Sequence, residues 1–118
     1  MKKFFLGNIK NDTILGWITG QFFPQDRPQH DKNIEIKVSK VDKKFKMEKH
    51  YHPIGRDWII VIQGGLTVNI DGENLAMKGG DYLIIESNTT EEVISAEDNT
   101  IVVTIRTPSL PNNKIIAD

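Results

Sequence analysis

Short stretches of alternating apolar and polar residues, interrupted by turn-forming residues roughly every eight to twelve positions, most constrain the fold of this chain. Residues 34–41 are the clearest example, a predicted strand with one buried face that carries Ile34, Ile36 and Val38. The other face, which carries Glu35, Lys37 and Ser39, is then left to solvent. No stretch of about ten residues keeps the apolar spacing of a helix. The composition agrees, since 17 Ile and 7 Val outnumber 3 Ala and 6 Leu, and β-branched residues favour strands. The sequence therefore predicts an all-β fold of about eight or nine strands.

Turn signals divide the rest of the chain into further predicted strands. These cover residues 13–23, 45–52, 57–63, 66–70, 75–77, 82–85, 91–96 and 100–106. The Asp71-Gly72 pair predicts a tight hairpin between the strands on either side of it, and residues 97–99 predict a second hairpin. Residues 57–63 are apolar on both faces, which is typical of a central strand. We expect the proline-containing tail to lie along the surface.

Charge and composition exclude several classes of protein. The 118 residues contain 15 Lys and Arg against 16 Asp and Glu, a net charge of −1, so the basic excess of a nucleic-acid or membrane-surface binder is missing. The chain has no Cys and therefore no disulfide or thiolate chemistry. Its apolar runs are too short for a membrane span of about twenty residues. In the MKKFFLGN start, the apolar stretch at residues 4–6 is too short for a signal peptide. We therefore expect a cytoplasmic protein.

The first group of candidate functional residues is a pair of histidines followed by an acid. His50-Tyr51-His52, Asp57 and Gly64 follow the spacing H-x-H-x4-D-x6-G. Because residues two apart on a strand point to the same side, both histidines can share an interior face while Tyr51 points away. Divalent manganese, iron, nickel and zinc accept imidazole nitrogens together with carboxylate oxygens. This block is a candidate metal site.

A second block begins at Gly80-Asp81 and ends at Glu91, with the spacing G-D-x4-E-x-N-x2-E. Together the blocks resemble the paired motifs of the cupin superfamily, H-x-H-x3–4-E-x6-G and G-x5-P-x-G-x2-H. The resemblance implies a single cupin domain over residues 1–118, with motif 1 around residues 50–64 and motif 2 around residues 80–91. It also implies a jelly-roll or double-stranded β-helix barrel.

The chain departs from the cupin pattern at the positions that bind metal in that family. The cupin glutamate falls on Asp57, which is one methylene shorter, and the last cupin histidine falls on Glu91. The second-motif proline and glycine fall on Glu86 and Asn88. The resemblance therefore implies a divalent ion (Mn, Fe, Ni or Zn) held by two imidazoles and two carboxylates. The four implied ligands are His50, His52, Asp57 and Glu91.

Each of these residues also has an interpretation without a metal. An H-x-H pair on its own is often solvent-facing, and Asp57 could cap the turn that precedes it. Glu91 is followed by a second acid, a pattern that is common on exposed strands. The third histidine, His30, lies in a proline-containing loop, where we expect it to face solvent; the alternative is that it supplies a third imidazole.

Four further residues are candidates for ligand binding. They are Arg56, Trp58, Tyr82 and Arg106. Either arginine could grip an anionic group, or could simply pair with a surface acid. Trp58 could line the mouth of the barrel or a dimer face, and Tyr82 could serve packing alone.

Three classes of function remain open on the sequence. The first is a metal-dependent enzyme, such as a cupin-type oxygenase or isomerase. The second is a binding protein for a sugar, a sugar nucleotide or a small organic acid. The third is a metal-independent epimerase or isomerase that transfers protons through side chains. The sequence identifies neither the small-molecule ligand nor the catalytic residues.

The amount of apolar surface predicts self-association. One small barrel cannot cover both faces of residues 57–63 together with the apolar N-terminal segment. Exposed apolar area of this kind usually marks an interface, so we expect a two-fold homodimer.

Overall fold

Two five-stranded antiparallel sheets face each other in the computed structural model, which describes residues 3–118. The strands are β1 (Trp17–Thr19), β2 (Glu35–Val41), β3 (Met47–Tyr51), β4 (Arg56–Gln63), β5 (Gly65–Ile70), β6 (Glu73–Lys78), β7 (Tyr82–Glu86), β8 (Glu91–Ala96), β9 (Thr100–Thr107) and β10 (Ile115–Ile116). The first sheet has the order β1-β2-β9-β4-β7 and the second has the order β10-β3-β8-β5-β6. This confirms the predicted all-β jelly roll. Met1 and Lys2, which open the start considered above for a signal peptide, lie outside the described residues.

The chain changes sheet at several of its turns, which is where the sequence prediction partly fails. The hairpin predicted at Asp71-Gly72 is confirmed, because β5 pairs with β6 across it. The hairpin predicted around residues 97–99 is wrong, because β8 pairs with β3 and β5, whereas β9 pairs with β2 and β4. The hydroxyl oxygen of the fully buried Thr100 accepts a hydrogen bond from the Gly65 N–H, which ties the start of β9 to β5 in the other sheet. Each strand can then bury its inner face against the opposite sheet.

Apolar side chains from both sheets form one core between them. Its buried members are Ile59, Val61, Leu66, Val68, Met77, Ile85, Val93, Ala96 and Val102. Along β4 the inward-facing residues run from Asp57 to Ile59 and Val61, all of which are buried. The apolar core therefore lies toward one end of the strands, and charged groups lie toward the other. Of residues 3–118, none form a helix that is long and apolar enough to cross a membrane.

The outward face of the first sheet is apolar as well. Strand β4 lies between β9 and β7, as predicted for a central strand, and its outward residues align with apolar residues on both neighbours. Outward positions of this sheet also hold the charged residues Lys40, Arg56 and Glu86. The ten apolar outward residues of the four longer strands are Ile36, Val38, Trp58, Ile60, Ile62, Tyr82, Ile84, Ile101, Val103 and Ile105. Tyr82 is 68 % exposed, Ile62 54 % and Ile84 48 %. We call these ten residues the outer sheet face.

Two turn positions explain details of the sequence motifs. Gly64 has a φ of +85°, and a Cβ there would lie 2.3 Å from the Thr100 hydroxyl oxygen, so only glycine fits. Asn88 replaces the glycine of the second cupin motif and has a φ of +62°, a left-handed conformation that Asn tolerates better than most residues. Its backbone N–H donates to the His52 carbonyl at 2.9 Å. The loop therefore keeps its place beside the histidine pair.

The C-terminal tail adds a short strand to the second sheet. Predicted to lie along the surface, it does so as β10, which pairs with β3 and is exposed. Ahead of β10, the carbonyl of Asn113 reaches His52. The tail thus becomes part of the site.

Candidate metal centre

Strand register brings the first histidine and the motif 2 acid together. His50 on β3 lies directly opposite Glu91 on β8, so the two side chains point to the same inner face. Both are buried, and His50 is completely inaccessible to solvent. The interpretation of Glu91 as a solvent-facing acid is wrong, because Glu91 is buried. Its neighbour Glu92 is the more exposed of the two acids.

The second histidine follows immediately after β3 and faces the first sheet. His52 is buried, and its ring lies edge-on to that of His50, with 5.1 Å between the ring centroids. Its Nε2 lies 3.3 Å from Oδ2 of Asp57 on β4. The structure thus brings all four sequence-predicted ligands to one end of the interior.

Both histidines present the same ring nitrogen to the interior. Nδ1 of His50 lies 2.7 Å from the Glu48 carbonyl oxygen, and Nδ1 of His52 lies 2.5 Å from that of Asn113. Because a carbonyl oxygen only accepts, each Nδ1 donates, and each neutral ring directs the lone pair of Nε2 into the site. This is the tautomer that a metal-binding histidine needs.

Groups that bear lone pairs therefore face one another. His50 Nε2 lies 3.3 Å from Glu91 Oε1, the same separation as in the His52–Asp57 pair. Among the buried atoms of residues 3–118 that lack a hydrogen-bond partner are both Nε2 atoms and Glu91 Oε2. Such atoms are unfavourable together unless a cation or a proton lies between them.

The donor set fits a divalent metal ion. One ligand atom from each of His50, His52 and Glu91 can be chosen so that all three lie within 4.8 Å of one another. Ligands about 2.1 Å from one ion are about 3 to 4 Å apart, which matches the 3.3 Å between His50 and Glu91. Asp57 is not a member of this group of three.

Asp57 instead belongs to a row of alternating charge across the first sheet. Glu35, Arg106 and Asp57 are cross-strand neighbours on β2, β9 and β4. The Arg106 guanidinium lies 3.3 Å from Glu35 and 3.4 Å from Asp57. Glu35 also accepts a hydrogen bond at 2.9 Å from the buried Ser109 hydroxyl. Arg106 is therefore held in a fixed position at the edge of the site.

Burial and charge set the protonation of the site. Burial, and then the charge of Arg106, lower the pKa of His52 to about 4, so that its ring is neutral near pH 7. Burial raises the pKa of Glu91, but its interaction with the His50 ring 3.3 Å away, and then with His52 and the positive charge of Arg106, outweighs burial and lowers the pKa overall. Burial, and then the charge of Glu91, raise the pKa of Asp57 to about 7 against the opposing effect of Arg106. Glu91 is thus the ionised carboxylate of the pair at neutral pH.

The four residues predicted for ligand binding divide into two groups. Arg106 faces the interior, next to Asp57. Arg56, Trp58 and Tyr82 lie on the opposite side of the first sheet, where Arg56 forms an exposed ion pair with Glu86. Strand parity separates them, since Arg56 and Trp58 flank the inward-facing Asp57.

His30, the alternative third imidazole, lies outside the group of converging ligands. Its Nδ1 lies 2.8 Å from the Phe23 carbonyl oxygen, so the ring is held within its own loop. The residue is partly buried rather than fully solvent-facing.

Some residues around the site were not singled out from the sequence. Glu35 and Lys37 face inward on β2, although the alternation of residues 34–41 assigned their face to solvent. Trp17 and Lys114 line the same cavity as Lys37, Glu91 and Arg106. Lysines on a predicted strand carry no signal that distinguishes an inward position, so only the sheet register reveals them.

Comparison with known families decides the relationship. The sequence profile of the cupin domain matches residues 38–105, more than half of the chain, including both candidate motifs. The chain belongs to the cupin family. A comparison with curated proteins finds no match for this cupin.

Solved structures share the fold of this cupin. KdgF from a Halomonas species aligns with a TM-score of 0.65 and 20 % identity, over 70 % of this chain and 76 % of that one. A cupin protein from Bacteroides fragilis aligns with a TM-score of 0.58 and 20 % identity, over 68 % of this chain and 71 % of that one. Oxalate decarboxylase from Lactobacillus farciminis aligns with a TM-score of 0.62 and 16 % identity, over 72 % of this chain but only 27 % of its own length. At these identities the similarity establishes the fold alone.

Proposed function

We propose that this cupin binds one divalent metal ion, of the manganese, iron, nickel or zinc type, together with a small polar ligand inside the barrel. Nε2 of His50, Nε2 of His52 and the Glu91 carboxylate are the proposed primary ligands, and Asp57 is the proposed fourth. One observation carries the proposal: Nε2 of both histidines and Oε2 of Glu91 are buried without a hydrogen-bond partner, and both imidazoles are already anchored through Nδ1.

The proposed centre would suit an enzyme as well as a binding protein. A bound divalent ion supplies Lewis-acid or oxygen chemistry, so the reaction classes we propose are oxygenation and isomerisation. The chain's own groups orient the ligands and exclude water. Carbonyl oxygens fix both imidazoles, Arg106 holds Asp57 in place, and the apolar core borders the site on its inner side. The cupin fold occurs in an oxalate decarboxylase and in a salicylate 1,2-dioxygenase, at 16 % and 15 % identity to this chain, so the fold is compatible with an enzyme.

Metal analysis of protein purified without chelator tests the proposal. We expect close to one equivalent of one of the four metals, and a higher melting temperature than that of chelator-treated protein, because a ligand that binds only the folded state stabilises it. Protein that is free of metal as purified, and whose melting temperature none of the four ions changes, would contradict the proposal.

A metal-independent sugar or sugar-nucleotide epimerase or isomerase is the second candidate, and one pair of residues favours it. His52 and Asp57 are 3.3 Å apart, and the pKa of Asp57 is about 7, close to the value that suits proton transfer at neutral pH. Activity that survives complete metal removal would support this candidate over the metal centre. Either function fits a cytoplasmic protein, which we propose because a chain without Cys needs no oxidising compartment.

We also propose that two copies associate through the outer sheet face. Cross-strand register makes this face continuous, since Trp58 lies opposite both Ile84 and Ile105, and Ile60 lies opposite both Tyr82 and Val103. The exposed Arg56–Glu86 ion pair at its margin adds no net charge. A largely apolar face of this kind, with Lys40 as a further outward residue on β2, is complementary to a second copy of itself about a two-fold axis.

Light scattering of two matched variants tests the homodimer. The wild-type protein should have twice the chain mass of 13.4 kDa, and Ile84→Lys should be monomeric because it buries a charge in the interface. Ile94→Lys is the control, since Ile94 is similarly exposed on the second sheet, at 38 % against 48 % for Ile84. A monomeric wild-type protein at micromolar concentration would overturn the proposal.

A further inference from the structure

Three cationic side chains surround the mouth of the interior. Lys37, Arg106 and Lys114 line a cavity of about 260 Å³ that also reaches Glu91. A second cavity of about 260 Å³ is lined by His52 and shares Arg106 and Lys114 with the first. The cations therefore line the same cavities as the proposed metal ligands Glu91 and His52.

Two of these cations are arranged around one aromatic ring. The Lys37 ammonium lies 5.6 Å from the centre of the Trp17 indole, and the Arg106 guanidinium carbon lies 5.4 Å from it. Arg106 is further fixed by Glu35 and Asp57. Contact with an aromatic ring orients a cation without neutralising it.

Lys37 and Lys114 line a cavity that also contains the acids Glu91 and Glu92, but within residues 3–118 neither lysine is directly paired with an acid. Lys37 is only partly exposed, and burial, followed by the charges of Arg106 and Lys114, lowers its pKa. Like charges gathered in a partly buried cavity are costly, and an anion between them removes that cost.

The cavity changes from charged to apolar along its depth. Inward residues on β2 run from Lys37 through Ser39 to Val41, and Lys37 and Ser39 lie opposite Thr104 and Val102 on β9. Further apolar walls come from Phe45, Met47, Ile59, Leu66 and Val68. A molecule that places an anionic group at the cations therefore has apolar walls around the rest of its body. The cavity volume is just below the range of about 300 to 1,000 Å³ for drug-sized ligands, which favours a small molecule.

We propose that Lys37, Arg106 and Lys114 bind the carboxylate of a small organic acid whose apolar part enters the barrel. The inference rests on the proposed function only in assuming that the barrel takes a small-molecule ligand, and it names the class of that ligand. Charge at the mouth selects the carboxylate, and the apolar walls favour an organic acid over an inorganic anion.

Butanoate, butanamide and inorganic phosphate distinguish these contributions in an NMR titration of isotope-labelled protein. We expect butanoate to bind more tightly than either butanamide or phosphate. Lys37→Met should weaken butanoate binding about tenfold, the effect of losing one charge-assisted contact, and should leave butanamide binding unchanged. Lys40→Met is the matched control. It removes the same charge, but from a residue that is exposed on the opposite face of the same strand.

Metal-depleted and zinc-loaded protein separate this inference from the metal proposal. Butanoate binding that depends on Lys37 in metal-depleted protein supports the inference even if no metal site exists. Equal effects of Lys37→Met and Lys40→Met would overturn it, whether or not zinc binds. Phosphate binding as tight as butanoate binding would also overturn it, in favour of an inorganic-anion site.

Discussion

Replacing His50 with alanine is expected to abolish metal binding and to lower the stability of the protein more than any other single change in the site. His50 is completely buried, its Nε2 faces Glu91, and its Nδ1 is already fixed by the Glu48 carbonyl. If the metal is present at about a hundred times its dissociation constant, losing it costs about 2.7 kcal/mol of unfolding free energy. The cavity left by the ring adds to this loss. Metal content and thermal unfolding, each measured with and without added metal, give the two quantities.

His30→Ala is the control for that experiment. His30 is the remaining histidine of the chain, and its ring contacts the Phe23 carbonyl in a loop away from the converging ligands. We expect this variant to keep its full metal content. His52→Ala should also lose the metal, because the Nε2 of His52 faces the same site. Retention of metal by both site variants would show that any metal in the protein is held elsewhere.

Replacing Glu91 with glutamine is expected to weaken metal binding by about a hundredfold or more, since the loss of a direct ligand should exceed the effect of losing a supporting residue. The amide keeps the size and one acceptor oxygen of the carboxylate but removes its negative charge. Glu91→His should retain metal, because it restores the three-imidazole, one-carboxylate set that the cupin resemblance implies. Calorimetric titration of the chelator-treated variants measures both affinities. Unchanged affinity in Glu91→Gln would remove Glu91 from the centre.

The pH dependence of the same titration decides the role of Asp57. The pKa of Asp57 is about 7, so if Asp57 is a ligand, protons compete with the metal and affinity should fall as the pH drops below 7. The pKa of His52 is about 4, so protonation of His52 has little effect until the pH approaches that value. We expect Asp57→Asn to reduce the decline between pH 7 and pH 5, leaving only the part that protonation of the other ligands causes. An identical decline in Asp57→Asn would assign it to another group.

Much of the fold follows from local patterns in the sequence. Alternation, β-branched residues and the Asp71-Gly72 turn are short-range features, and they predict the strands and the β5–β6 hairpin because both depend on neighbouring residues. The turn at residues 97–99 is a contrasting case. Its sequence is compatible with a hairpin, but the burial of Thr100 against Gly65 directs β8 and β9 into opposite sheets. Local sequence does not contain that long-range contact.

In the candidate centre, too, local sequence predicts some features, whereas others depend on long-range contacts. The spacing of His50 and His52 predicts that they share a face, and the resemblance to cupins adds Asp57 and Glu91. The sequence does not predict that Glu91 lies opposite His50, because this depends on the register of β3 against β8. Nor does it predict that Lys37 faces inward, since an alternating strand assigns its polar face to solvent unless the sheet is known to enclose a polar interior.

Anomalous X-ray diffraction from crystals of the metal-loaded protein, collected at the absorption edge of the bound metal, locates the ion directly. We expect one strong peak per chain, within about 2.0 to 2.3 Å of Nε2 of His50, Nε2 of His52 and a carboxylate oxygen of Glu91. A peak bound by other residues, or none in crystals soaked in turn with manganese, iron(II), nickel and zinc, would contradict the proposed metal centre.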